Sequence, residues 1–158
     1  MGLSIPGGKY RIFVTVFCLL CAAPVFLTAQ NTAMEIETLL ASRALTYAQV
    51  SRFVLEAADA AAFTDPVEAF NFARERNWLP MNAAPHEPAR LDRVSLLLMR
   101  SFGIRGGVLF TLTGSPHYAY REMEYMGFIY GRSSPGQTVS GDTLLYLTGR
   151  ILGLVENQ

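Results

Sequence analysis

"SPHYAYREMEYMGFIYG" (115–131) holds four of the chain's seven tyrosines, and its neighbour in pattern lies 50 residues upstream: "DPVEAFNFARERNWLPM" (65–81). Both begin with a short polar residue followed by proline, a pairing that caps free N–H groups and suits the first helical turn. Ala69, Phe70 and Ala73 match Ala119, Tyr120 and Met123, an apolar edge at helical spacing. Asn77 matches Gly127, the residue types that best tolerate the left-handed conformation at a helix end. Trp78-Leu79 and Phe128-Ile129 follow these stops.

Working outward, the same shift pairs residues 65–104 with 115–154 without gaps. Identical residues then fall at Pro66/Pro116, Ala69/Ala119, Pro85/Pro135, Asp92/Asp142, Leu97/Leu147, Arg100/Arg150 and Gly103/Gly153. A second helix closes each copy. Val94, Leu97, Leu98 and Ser101 match Leu144, Leu147, Thr148 and Ile151 in an i, i+3, i+4, i+7 stripe. Arg100 and Arg150 suit the last turn, and Gly103 and Gly153 are expected to end the helices.

Upstream, "LTYAQVSRFVLEAAD" (45–59) reads as another second helix, with Thr46 and Gln49 in a capping-box pattern. Met34, Ile36, Leu39 and Leu40 outline a short amphipathic helix before it. The expected organisation is one domain over 30–158, with a reduced unit at 30–60, unit two at 63–104 and unit three at 113–154. The fold class is all-α or mainly α, in repeated helix–loop–helix units. Within "IRGGVLFTLTG" (104–114), Val108–Leu112 reads as a short extended segment.

Residues 1–29 have the grammar of a secretory signal: Lys9 and Arg11, the apolar run "IFVTVFCLLCAAPVFL" (12–27), and Ala29 as the cleavage residue. An uncleaved membrane anchor is the rival reading. Cys18 and Cys21 both lie in this run, so a processed chain has no disulfide, thiol nucleophile or cysteine metal site. Processing leaves 11 arginines against 13 acids, a net charge of about −2. The absence of a basic stripe argues against nucleic acid as a partner.

The order helix, "(G/N)-aromatic-aliphatic", proline-containing loop and capped helix, seen in "AAFTDPVEAFNFARERNWLP" (61–80) and "AYREMEYMGFIYGRSSPGQTVSGDTLLYLTGRIL" (119–152), resembles the S-layer homology (SLH) repeat. The chain is also similar to small exported spirochaete proteins. The SLH resemblance implies three units in a pseudo-threefold arrangement, and attachment of an exported protein to cell-wall polysaccharide. The family's ligand-contacting Thr-Arg-Ala-Glu falls on Thr46-Tyr47-Ala48-Gln49, Arg90-Leu91-Asp92-Arg93 and Ser140-Gly141-Asp142-Thr143. None keeps the second-position Arg together with the fourth-position Glu, so no binding residue carries over.

Catalytic patterns are weak. Ser115 and His117 stand at a helix start rather than on a nucleophile elbow. His86 and His117 have no second ligand at metal-binding spacing. Glu122 and Glu124 point to different helix faces, and "IRGGV" lacks the features of a phosphate-binding loop. The reading is non-catalytic, with no cofactor and no metal. Tyr118, Tyr125 and Tyr130 have no aromatic counterparts in unit two. With Arg121 and Arg132 they form the candidate surface for a ligand or partner. The expected role is an exported periplasmic or cell-envelope protein that binds a wall polymer or an envelope protein, contacting membrane only through an uncleaved signal. The alternative is an accessory or structural subunit without a carbohydrate ligand. A small hydrolase is a third, less favoured reading.

Overall fold

The computed structural model describes residues 34 and 36–155, so the signal segment read in 1–29 lies outside the described residues. The chain divides into Met1–Thr38 and Leu39–Gln158. The described residues of the first unit are helical, and Thr38 Oγ1 donates to the Met34 carbonyl at 2.8 Å. The second unit is mainly helical, with no strand among the described residues.

Its helices are α1 (residues 39–41 of this unit), α2 (Tyr47–Ala57), α3 (Pro66–Glu75), α4 (Leu91–Ser101), α5 (Val108–Thr113), α6 (Pro116–Tyr125) and α7 (Gly141–Val155). The 50-residue offset recurs in the bounds of α3 and α6 and in the starts of α4 and α7.

Local chemistry explains these limits. The Thr46 side chain accepts from the Gln49 N–H while Gln49 returns a bond to the Thr46 N–H, a complete capping box on α2. Asp65 and Ser115 cap α3 and α6 by accepting from Val67 and His117. Both helices stop in the left-handed region, at Asn77 (φ 57°) and Gly127 (φ 73°). The next N–H closes each turn: Trp78 to the Ala73 carbonyl and Phe128 to Met123, both at 2.9 Å.

Two expectations fail locally. Gly103 ends α4 with φ 64°, but Gly153 stays inside α7, so Arg150 falls short of the expected last turn. Glycine permits a left-handed turn without imposing one. After Gly103 the turn is fixed by Ile104, whose N–H bonds the Met99 carbonyl at 2.8 Å and whose side chain packs on the core. The matching residue, Leu154, is exposed, so no burial drives the turn. Val108–Leu112 is helical rather than extended. Only Phe110 is buried there, and the hydroxyls of Thr111 and Thr113 bond the carbonyls of Gly107 and Leu109 four residues back. These bonds occupy the threonine hydroxyls within a six-residue helix that has a single buried aromatic anchor.

Helix packing crosses the repeat boundary. The main partners are α2 with α3 and α4 with α6, the second helix of one unit against the first helix of the next. The two helices of one sequence unit are not principal partners. At the third joint, α7 meets α1: a Cβ on Gly141 would run into the backbone of Leu39, with the Leu40 nitrogen at 3.0 Å.

The residues just before the caps tie these joints together. Leu45 N–H donates to the Val139 carbonyl (2.9 Å), Val139 to Ala89 (2.8 Å), and Ala89 back to Leu45 (2.7 Å). This is a closed ring of three backbone hydrogen bonds, formed by fully buried residues. Beside it, the first helical N–H groups of α2, α4 and α7 donate to the carbonyls of Glu87, Gln137 and Ser42. The next N–H groups of α2 and α4, on Ala48 and Asp92, donate to Pro85 and Pro135, both at 2.9 Å. Helix-start donors that otherwise need side chains or water are thus satisfied by a neighbouring loop. Arg90 can therefore precede α4 without making a side-chain cap. The matched prolines now have a shared role as carbonyl acceptors at the joints.

One apolar core runs through the unit. Val50, Val94 and Leu144 occupy the same helical position and are all fully buried, as are Ala69 and Ala119. Burying each of the Val50, Val94 and Leu144 side chains contributes about 1.5–3 kcal/mol.

Candidate functional site

A groove of about 440 Å³ opens between Leu91 at the start of α4, the 128–137 segment and α7, within the size range of small-ligand sites. Leu91, Phe128, Ile129 and Leu147 give it an apolar floor. Tyr130, Arg132, Ser133, Gln137, Asp142, Thr143 and Tyr146 supply the remaining wall.

The wall is held by contacts that trace to the sequence. Gly127 ends α6 and leaves room for the Tyr130 hydroxyl, which lies 3.2 Å from where a Cβ would sit. Tyr120 donates to the Ser133 carbonyl at 3.0 Å, pinning the loop that carries Arg132. On α7, Ser140 Oγ accepts from the Thr143 N–H and shares a 2.9 Å hydrogen bond with Thr143 Oγ1.

Arg150 joins the two tyrosines from outside the lining. It donates to the hydroxyls of Tyr146 (3.4 Å) and Tyr130 (3.3 Å). Its guanidinium carbon lies 4.9 Å from the Tyr130 ring centre and 5.9 Å from that of Tyr146. The hydrogen bond to Tyr146 raises the Arg150 pKa above the ordinary arginine value, against an opposing desolvation and with a further raising contribution from Tyr130. Arginine is charged in any case, and its contacts orient both rings. They remain available: Tyr130 is 62% and Tyr146 48% exposed. Arg100, its match in α4, lies over Phe110 instead, 5.1 Å from the ring centre.

Of the five residues singled out from sequence, Tyr130 and Arg132 line this groove. Tyr118, Arg121 and Tyr125 do not; they share a face of α6 at i, i+3, i+7 spacing. Tyr118 is half-buried against the core, with His117 edge-on to it at 5.4 Å, while Tyr125 is 89% exposed. Sequence reading missed Gln137, Asp142, Tyr146 and Arg150. The one available signal was the four-residue spacing of Tyr146 and Arg150 along a helix.

The other patterns have structural roles. Ser115 Oγ accepts from the His117 N–H at 3.3 Å as a cap. Asp92, matched to Asp142 of the groove, is engaged by Arg90, with Nη2 to Oδ2 at 2.9 Å and Nε to Oδ1 at 3.3 Å. Among the described residues no three His, Cys, Asp or Glu side chains cluster at metal-binding distance. Among them, too, no helix is long and apolar enough to cross a membrane.

Comparison with family models, with curated proteins and with solved structures returns no match. What the groove offers is two tyrosine faces, one arginine, one carboxylate, an amide and hydroxyls around an apolar floor. That set suits recognition of a hydroxylated ligand by stacking and hydrogen bonding.

Proposed function

We propose that this chain is a non-catalytic exported envelope protein that binds a cell-wall polymer in the groove beside α7. The observation that carries the reading is the pair Tyr130 and Tyr146, fixed by Arg150 at the mouth of a groove that also presents Arg132, Gln137 and Asp142. Paired aromatic faces with flanking amide and charged groups bind sugar rings by burying their apolar faces and bonding their hydroxyls. Export and an envelope location rest on the signal grammar of residues 1–29. An SLH-like pseudo-threefold arrangement is part of the same reading. The ring through Leu45, Ala89 and Val139 and the 50-residue match of helices favour it.

The test is sedimentation of the full chain with isolated peptidoglycan sacculi. Saturable co-sedimentation is expected, and its absence rejects the polymer reading.

A second reading, an accessory subunit of an envelope complex, is favoured by α5. Val108, Leu109 and Leu112 are all exposed on this one-turn helix, an apolar surface of the kind partners cover. Recovery of one stoichiometric envelope protein in cross-linked pull-downs, lost in Leu112→Ser, is the expected result if that reading holds. An unchanged pull-down from Leu112→Ser rejects it.

A further inference from the structure

The three joints are built alike, and the first residue of the second helix decides what fills each one. Those residues are Tyr47, Leu91 and Gly141, whose N–H groups make the equivalent bonds to Glu87, Gln137 and Ser42. At the α4 joint the residue is leucine, and the groove beside it is open. At the α7 joint it is glycine, and the backbone of Leu39 occupies the space of a side chain.

The α2 joint holds a tyrosine. Tyr47 is 1% exposed, and its hydroxyl oxygen accepts from the Arg90 N–H at 3.2 Å. Its ring lies 5.7 Å from the guanidinium carbon of Arg93. Arg93 and Glu87 are the 50-residue counterparts of Thr143 and Gln137, which line the open groove. The Tyr47 ring thus occupies the place that stands open beside Leu91.

We propose that Tyr47 is a built-in plug closing a second groove equivalent to the one beside α7, and that leucine at Leu91 is the determinant that keeps the first groove open. The ligand class of the open groove is a hydroxylated glycan, and the plug leaves it as the single site of that kind. The inference rests on the function proposed above only for that ligand. The walls differ: the closed groove carries Pro80, Asn82, Glu87, Arg93 and Leu96 where the open one carries Tyr130, Arg132, Gln137, Thr143 and Tyr146. One glycan segment per chain is therefore expected for the natural protein.

The experiment compares the full chain in detergent with Leu91→Tyr, Tyr47→Leu and Tyr47→Phe, using calorimetric titration with soluble disaccharide-peptide fragments of peptidoglycan and a crystal structure of each variant. Leu91→Tyr is expected to fold, fill the open groove and weaken binding at least tenfold. Tyr47→Leu is expected to open a groove beside α2 while the glycan stoichiometry stays at one, because Pro80 and Leu96 stand there in place of Tyr130 and Tyr146. Tyr47→Phe keeps the ring and is expected to keep the joint closed, which separates filling from loss of the hydrogen bond to Arg90. A Leu91→Tyr chain that folds and binds unchanged overturns the proposal, as does a Tyr47→Leu structure whose joint remains filled. If Tyr47→Leu fails to fold, the Leu91→Tyr structure decides: a ring seated in the groove supports the plug, and a ring turned to solvent overturns it. If the natural chain binds no fragment, the glycan reading falls, while the two structures still decide whether Tyr47 is a plug.

Discussion

Gly141→Ala should destabilise the protein, although alanine is the better helix former. At an ordinary helical site the exchange gains about 0.5–1 kcal/mol. Here the added Cβ meets the carbonyl of Leu39, with the Leu40 nitrogen 3.0 Å away. The obstacle is backbone, so it cannot rotate aside as a side-chain tip would. Either the end of α1 or the start of α7 must retreat. The Gly141 N–H bond to Ser42, 3.0 Å long, lies at the same contact and lengthens with it. Overpacking costs about 1–3 kcal/mol, and weakening one hydrogen bond costs up to about 0.5–1.5 kcal/mol. The net expectation is a loss of about 1–3 kcal/mol. Gly149→Ala is the internal control: it lies in the same helix with nothing within 4 Å of a new Cβ, and should gain about 0.5–1 kcal/mol. Urea unfolding followed by circular dichroism and by the fluorescence of Trp78, the chain's one tryptophan, measures both. A Gly141→Ala chain as stable as the parent, beside a Gly149→Ala chain that behaves as expected, refutes the seating of α1 on α7.

Thr46→Ala removes one half of the α2 capping box and should cost about 1 kcal/mol in the same urea assay. The amide protons of Leu45, Ala89 and Val139 close the buried ring. In native-state hydrogen exchange they should open only with global unfolding, and exchange at the rate of surface loops would contradict the ring. Gly127→Ala places a Cβ at φ 73° and 3.2 Å from the Tyr130 hydroxyl. It should cost about 1–2 kcal/mol and also weaken sacculus binding, because Tyr130 is displaced. Stability loss with unchanged binding would remove Tyr130 from the site.

The helix limits that recur at the 50-residue offset were legible because they are written in residues with narrow backbone roles. Asp65-Pro66 and Ser115-Pro116 start helices, and Asn77 and Gly127 stop them, through local chemistry that needs no tertiary partner. Gly153 misled for the complementary reason: its turn depends on a distant burial that Ile104 has and Leu154 lacks. Which helices pack together was hidden, since apolar stripes on α3 and α4 do not name their partners. The candidate site was half legible. Tyr130 and Arg132 stood out as departures from the repeat, whereas Tyr146 and Arg150 gain their role from a contact across 20 residues, between Arg150 and Tyr130. Tyr118 stood out equally, yet it is spent largely on packing.

The central claim is that the groove beside α7, and not the tyrosine face of α6, binds the wall polymer. Its most direct test is the binding isotherm of the full chain on peptidoglycan sacculi, with Tyr146→Ala compared against Tyr125→Ala. Truncating an aromatic that acts as a binding hot spot costs about 2 kcal/mol, a weakening of more than about tenfold. Tyr146→Ala should show that loss, with far-UV circular dichroism unchanged, and Tyr125→Ala should bind as the parent does. Equal binding by the parent and Tyr146→Ala, or a loss confined to Tyr125→Ala, contradicts the account.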